Sequence, residues 1–279
     1  MVKIILNVLI ILLSLSSCVS TENISVMAYN VRYGLADDGE NSWEFRKEFL
    51  ASQIKFYNPD FIGTQECLPF QLKYIDSKLP NHSFIGKSRD KDGKGEYSAI
   101  LYNRKKFEVI KENTFWLSST PNKASKGWDA AYSRICTYGL FQDKKTKNKF
   151  WIINTHLDHI GVKAREQSVI LILKKIKEIN TKNYPLVFMG DLNTEPGTDP
   201  ILKLKAELND TKDVSIEKPF GPTGTFNAFK FNKPVTRTID YIFVSKHKTI
   251  KIHKHAVLSD SKDLKYPSDH LPVYVEISF

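Results

Sequence analysis

Cysteine is scarce in this chain, three in 279 residues, and histidine is little commoner at seven. So few thiols exclude a disulfide-built scaffold, and without clustered Cys and His a zinc centre has no ligand set. Internal repeats and low-complexity tracts are lacking too, which excludes a solenoid and an extended disordered protein. Past the first segment no apolar run is long enough to cross a bilayer. What remains is a globular make-up, 41% apolar and 26% charged residues, sufficient for one large domain or two small ones. Cys67 and Cys136 stand in apolar, strand-like stretches and are expected as buried free thiols.

The first segment is of another kind. Lys3 precedes an almost unbroken apolar stretch from Ile4 to Leu15, and Leu15-Ser16-Ser17-Cys18 follows. The stretch is too short for a transmembrane helix. Small residues ending in Cys resemble a bacterial lipobox, which implies cleavage, acylation of Cys18 and export. On that reading residues 1–17 are a lipoprotein signal peptide, 18–22 a short tether and 23–279 the working domain, held at a membrane by its lipid. Periplasmic and cell-surface placements are both open.

Lys and Arg number 41 against 31 Asp and Glu, a formal +10. That balance favours anionic partners: nucleic acid, phospholipid headgroups or phosphorylated metabolites. The lysines are scattered, and a merely solvated Lys-rich surface competes with the functional reading. Lys144, Lys145 and Lys147 fall in the hairpin turn Asp143–Asn148 and read as solvated turn residues.

Short runs rich in β-branched and aromatic residues predict strands at Ile24–Val31, Phe61–Glu66, Ser98–Tyr102, Phe107–Ile110, Ile135–Phe141, Phe150–Asn154, Leu186–Met189, Ile239–Val244, Ile250–His255 and Pro272–Ile277. Several are continuously apolar, as in strands covered on both faces. Helical spacing links Trp43, Leu50, Ile54 and Tyr57, and Asn58-Pro59 stops that helix; Leu68 to Leu79 repeats the pattern up to Pro80; Val169, Leu173, Ile176 and Ile179 make a third, starting near Gly161. Hairpins mixed with helical crossovers predict one α/β domain of two sheets flanked by helices.

Polar residues stand at the ends of these strands, where burial without a purpose is costly. Asn30 and Glu66 end the first two. His156 and Asp158 follow the strand at Phe150, Asp191 and Asn193 follow Leu186–Met189, Asp240 sits in the run Ile239–Val244, and Asp269-His270 precedes the last strand. Any one fragment has a structural explanation as a turn or cap. Carboxylates, amides and two histidines at successive strand ends instead make an oxygen-rich site for a hard cation.

The ordered set Tyr29-Asn30-Val31-Arg32, Gln65-Glu66, Asn154-Thr155-His156-Leu157-Asp158, Gly190-Asp191-Leu192-Asn193, Ile239-Asp240-Tyr241 and Ser268-Asp269-His270 resembles the endonuclease/exonuclease/phosphatase superfamily, from about residue 23 to the C-terminus. Asp38–Trp43 and Gly127–Ala131 resemble a bacterial subgroup of it. The resemblance implies a DNase I-like four-layer α/β sandwich and hydrolysis of phosphoester bonds with Mg²⁺, or Mn²⁺ in its place. It implies Glu66 as principal metal ligand, Asp269 as a second, and Asn30 and Asn193 orienting metal and phosphate. His270 would be the general base, oriented by Asp240. His156 would bind the phosphate or protonate the leaving group, with Glu96 as its partner. Asp191 would position or activate the nucleophile, and Asp158 and Arg32 would support the site.

Departures narrow the substrate. Arg32 stands where abasic-site endonucleases carry an acid, which weakens a DNA-repair reading. Thr238 stands two before Asp240, where a basic residue is common, and Arg237 is shifted by one. The superfamily cleaves nucleic acids, sphingomyelin and inositol phosphates, and fold does not choose among them. The overall pattern is most similar to its 3′–5′ exonuclease and deadenylase-like members. A sphingomyelinase-like phosphodiesterase and an inositol-phosphate phosphatase are the alternatives, and an inactive binding lipoprotein the remote one. The loops Gly86–Gly95, Ser118–Ser133 and Lys218–Pro234 would read the rest of the substrate, with Trp128 available to stack on a base or lie on a membrane. No protein partner is evident, and a monomer is expected.

Overall fold

Residues 23–279 are described by a computed structural model of the protein; Cys18 and the apolar segment before it lie outside them. In chain order the elements are β1 (Ile24–Asn30), α1 (Trp43–Tyr57), β2 (Phe61–Gln65), α2 (Pro69–Lys78), β3 (His82–Ile85), β4 (Ile100–Asn103), β5 (Phe107–Trp116), β6 (Ile135–Asp143), β7 (Lys149–His156), α3 (Val162–Ile179), β8 (Leu186–Asp191), α4 (Asp199–Glu207), β9 (Leu208–Asp210), α5 (Thr211–Val214), β10 (Asp240–Ser245), β11 (Lys251–Val257) and β12 (Val273–Ser278). They form two six-stranded sheets, ordered β11-β12-β1-β2-β4-β3 and β5-β6-β7-β8-β10-β9.

The continuous apolar strands are buried on both faces. In β1, Val26 and Ala28 point between the sheets with Phe61, Phe141, Phe150, Met189 and Val275. Met27 and Tyr29 point the other way, against Leu50 and Ile54 of α1 and Leu72 and Ile75 of α2. On the second sheet Trp151, Ile153, Phe188 and Phe243 pack on Val169 and Ile172 of α3 and Ile201 and Leu204 of α4. The layers therefore run helix, sheet, sheet, helix, the four-layer sandwich expected. Each large side chain buried in this way contributes roughly 1.5–3 kcal/mol.

The helix boundaries follow the punctuation: Asn58 caps α1 with a left-handed φ of 43°, and Pro69 opens α2. Beneath the catalytic end one polar plug ties the sheets. Gln65 Nε2 donates to Asn154 Oδ1 at 2.7 Å, and Asn154 Nδ2 donates to the carbonyls of Thr64 and Ala99. Cys67 and Cys136 are buried and free. No helix among the described residues is long and apolar enough to cross a membrane.

Five elements depart from the expected set, the four-residue helix α5 among them. β5 runs on to Trp116 rather than stopping at Ile110, because a bulge between Val109 and Lys111 breaks its alternation and Lys111 to Asn113 are exposed. β3, β9 and α4 carry too few residues, or too mixed a pattern, to register.

Candidate active site

The sheet register gathers the polar strand ends. β1 and β2 run parallel, with Asn30 opposite Gln65, so Asn30 and Glu66 emerge together. His156 pairs with Asp191 across β7 and β8, and Asp191 with Asp240 across β8 and β10. β12 runs antiparallel to β1, Val273 opposite Ala28, which brings Asp269 and His270 to the same end. Gly190 is required here: its φ is +152°, and a Cβ would lie 2.0 Å from the Thr155 carbonyl oxygen. Arg32, Glu66 and Asn193 adopt φ values of 61°, 58° and 48°, left-handed conformations that cost an ordinary side chain on the order of 1–3 kcal/mol and gather at functional sites.

At the centre Asn30 Nδ2 donates to Glu66 Oε1 at 3.0 Å and to Asp191 Oδ2 at 2.9 Å. The Tyr33 amide donates to Glu66 Oε2 at 2.7 Å. Burial alone would raise the Glu66 pKa, but His270, Asn30 and the Tyr33 amide outweigh it and hold the carboxyl below its usual range. Ligand atoms of Glu66, Asp191 and His270 lie within 4.8 Å of one another. Of these three, the ionised Glu66 carboxylate is the donor that suits a hard divalent cation. Asp269, expected as the second ligand, has Oδ2 3.6 Å from Arg32 Nη1, and burial pushes its pKa up despite His270.

The two histidines meet opposite surroundings. His270 Nδ1 bonds Asp240 Oδ2 at 2.8 Å, and its Nε2 faces Asp191 Oδ2 at 3.8 Å. Burial disfavours its charge, yet Asp240, Asp191 and Asp269 prevail and raise the pKa well above 6.5. His156 is met by guanidinium instead: Arg134 Nη1 donates to its Nδ1 at 3.0 Å. Asn193 Nδ2, which also donates to the Leu157 carbonyl, faces Nε2 at 3.0 Å, so donors meet both ring nitrogens and oppose a second proton on the ring. Burial, Arg134 and Arg89 together depress its pKa well below 6.5. His156 is thereby held neutral, and the protonated form that leaving-group protonation calls for is disfavoured. Asp191 lies between the two, 3.5 Å from His156 Nε2. Burial and Asp240, opposed by His270, push its carboxyl up to about 7.

A cleft of about 560 Å³ opens over these groups. Its wall includes residues absent from the sequence reading: Arg89, Tyr132, Arg134 and His159. Arg89 pairs with Glu96 at 2.8 Å and lies over the Tyr132 ring, which stacks on His159. Glu96 is thus primarily the partner of Arg89, 3.9 Å from His156. Asp158 lies behind the wall. It accepts from the amides of Ala131, Tyr132, Ile160 and Gly161 and holds Arg134 at 3.2 Å. On the other flank Phe226 meets the His270 ring edge-on and carries Arg237. Trp128 is half-buried with a φ of 45° and is not part of the cleft wall; Tyr132 takes the place proposed for it. The wall had one legible signal: Arg134 directly precedes the apolar strand at Ile135. In an antiparallel strand the catalytic end is the beginning, which a search of strand ends overlooks.

The family model for the endonuclease/exonuclease/phosphatase family matches residues 27–270. A mannosyl-6-phosphatase of Bacteroides thetaiotaomicron is 37% identical, with 92% of this chain and 100% of that one superposed at a TM-score of 0.87. An endonuclease/exonuclease/phosphatase family protein of the same organism is 36% identical over 92% of this chain and 98% of its own, also at 0.87. Among curated proteins, the CCR4-Not complex 3′-5′-exoribonuclease subunit of Aspergillus clavatus is 21% identical over 96% of this chain and 55% of its own length. The chain spans only part of the curated relatives it matches, from 60% of an uncharacterised mimivirus protein down to 27% of the CCR4-Not exoribonuclease subunit of Candida albicans. With nearly its whole described length matched and the expected side chains assembled at one end of the sheets, the chain belongs to the endonuclease/exonuclease/phosphatase family, whose members hydrolyse phosphoester bonds.

Proposed function

We propose that the chain is a Mg²⁺-dependent phosphomonoesterase acting on a small phosphorylated ring compound, a sugar phosphate foremost. The observation that carries the reading is the cleft wall. Arg89 and Arg134 flank the His156 side, Arg32 and Arg237 complete the lining, and Tyr132 and Phe226 border the opening on either flank. Guanidinium groups suit the two negative charges of a terminal phosphate, and aromatic faces suit a single ring beside it. Likeness to the mannosyl-6-phosphatase over the whole of its length supports the same choice. A 3′–5′ exonuclease is the second reading, favoured by the curated exoribonuclease relatives and by aromatic faces able to stack a base.

Glu66 is assigned to hold the cation, with Asp269 and Asn30 beside it. When bound, Mg²⁺ neutralises a non-bridging phosphoryl oxygen and stabilises the charge that develops there. The chain's own groups do the rest. Neutral His156 and the Asn193 amide beside it, 3.0 Å apart, are assigned to the phosphoryl oxygens as uncharged polar contacts. Asp191, a carboxyl poised near neutrality, takes the proton of the attacking water, and the leaving oxygen on the far side of phosphorus takes its proton from solvent in the open cleft. His270, fixed by Asp240, keeps a positive charge beside Asp191. Activity should vanish in EDTA, and Glu66→Gln should lose activity by several orders of magnitude. A panel of mannose 6-phosphate, inositol phosphates, AMP, oligoadenylate, sphingomyelin and bis-p-nitrophenyl phosphate separates the readings by kcat/KM. Preference for oligoadenylate overturns the monoester assignment in favour of the nuclease.

The lipobox supports export and anchoring at a bacterial membrane. Cys18→Ala should move the protein out of the membrane fraction; a wild-type protein found soluble in the cytoplasm refutes this.

A further inference from the structure

The register that gathers the catalytic residues at one end also decides what lies at the other. β1 and β2 begin there, at Ile24 and Phe61. The antiparallel partners place the connections 103–107, 143–149, 180–186 and 245–251 beside them, since Tyr102 pairs with Phe61, Lys149 with Gln142, Leu186 with Trp151 and Lys251 with Ser278. Contacts join neighbouring connections, as where Lys144 Nζ donates to the Arg104 carbonyl at 2.6 Å. These four segments contain eleven Lys and Arg and one acidic residue, Asp143, so they alone equal the formal +10 of the chain. Asp143 is engaged by turn amides; Asp60, also at this end, is buried and paired with Lys106; and the exposed Glu178 and Glu207 that border the face are paired with Lys175 and Lys177. Charge that reads as scattered along the sequence is gathered by the fold on one face.

We infer that this basic face docks the domain on an anionic phospholipid surface. Ten of the eleven cations are lysines, compact charges on flexible stems that suit a diffuse anionic surface better than a fixed phosphate geometry. The two aromatic rings in the segments, Phe107 and Tyr184, are buried and half-buried, so the face offers no platform for stacking bases. It lies one strand length from the catalytic end, roughly 20 Å for the seven residues of β1, too far to guide a polymer's phosphates into the cleft at the same contact. The residues that precede Asn23 join the domain at this same end, so acylation of Cys18 would act with the lysines as the second of two membrane signals. The cleft then faces away from the bilayer, open to substrates in solution.

Sedimentation of the full chain with vesicles of phosphatidylcholine, with and without phosphatidylglycerol, tests this. Binding to the anionic vesicles is expected to exceed binding to neutral ones and to fade with salt. The variant Lys105→Gln/Lys147→Gln/Lys248→Gln, exposed positions on three of the connections, is expected to lose about a hundredfold of the anionic preference, near fivefold per lysine. Its hydrolysis of a soluble phosphomonoester should equal wild type, which separates this inference from the catalytic one. Equal binding to both vesicle types, by the apolar N-terminal segment alone, overturns it. So does retention by duplex DNA at a salt concentration where phosphatidylglycerol confers no preference.

Discussion

Two flanks of one cleft hold the same side chain in opposite states. His270 is enclosed by Asp240, Asp191 and Asp269, which raise its pKa well above 6.5; His156 is met by Arg134 and Arg89, which with burial hold its pKa well below 6.5. Both are fully buried, and burial pushes both pKa values down. The difference is therefore made by the neighbours alone. The lesson is that histidine in a motif does not carry its role with it. The role is set by whether the nitrogen facing away from substrate meets a carboxylate or a guanidinium.

The largest test removes the group that both flanks share. Asp191→Asn keeps the shape and the Asn30 contact but abolishes proton acceptance, so kcat should fall by about 10³–10⁴ with little change in KM. A loss under tenfold would mean that proton transfer does not pass through Asp191. Next, Asp240→Asn takes the carboxylate from His270 Nδ1. Activity should drop by about 10³, and the His270 titration followed by NMR should move down toward neutrality. An unmoved titration would show that Asp191 and Asp269 suffice, and the asymmetry would then rest on them.

The His156 flank calls for a subtler break. As a neutral contact to a phosphoryl oxygen, its removal in His156→Ala should cost about 10². The loss should be the same for nitrophenyl phosphate as for an alkyl phosphate, since no proton is delivered to the leaving group. Rescue confined to nitrophenyl phosphate would restore the general-acid role and contradict the neutrality that burial, Arg134 and Arg89 impose. Arg134→Met should recover part of the acid character and render the variant more sensitive to leaving group.

The same two flanks explain what was legible in the sequence. Asn30, Glu66, His156, Asp191, Asp240 and His270 could be read because, though each alone passes for a turn or cap, so many polar residues in order at successive strand ends are together best explained as a site. The four layers could be read because strands and helices there are long and periodic. Arg89, Tyr132 and His159 sit in loops without a period, and their place depends on contacts between segments distant in sequence. Arg134 was overlooked at the start of an antiparallel strand. Asp158 was legible as a residue but not in its place, since its four backbone donors come together only when residues 131–132 fold against 160–161. The charge was counted correctly, yet its direction was hidden: Lys144, Lys145 and Lys147 read as one solvated turn until the register set three other cationic connections beside them.

The smallest effect is on stability, and it carries opposite signs on the two flanks. Consider the metal-free protein in EDTA. The folded pKa of His156 lies below the unfolded 6.5, so above 6.5 it is neutral in both states and has no effect. As pH falls below 6.5 the unfolded chain binds a proton that the folded one refuses, and stability is lost until the folded pKa is passed. For His270 the folded pKa lies above 6.5. Below 6.5 it is charged in both states and its stabilisation is complete; as pH rises the folded state keeps a proton the unfolded one has released, and stability is lost up to the folded pKa. Each limb has a slope of at most about 1.4 kcal/mol per pH unit. Asp191, raised to about 7, and His255, lowered to about 4, also titrate in this span, so the measurement is a difference. Urea unfolding of wild type minus His156→Asn should change with pH only on the acid side of 6.5. Wild type minus His270→Asn should change only on the alkaline side. Two difference curves bending on the same side would show that the flanks are electrostatically alike, and the opposition between carboxylate and guanidinium would not be what separates these histidines.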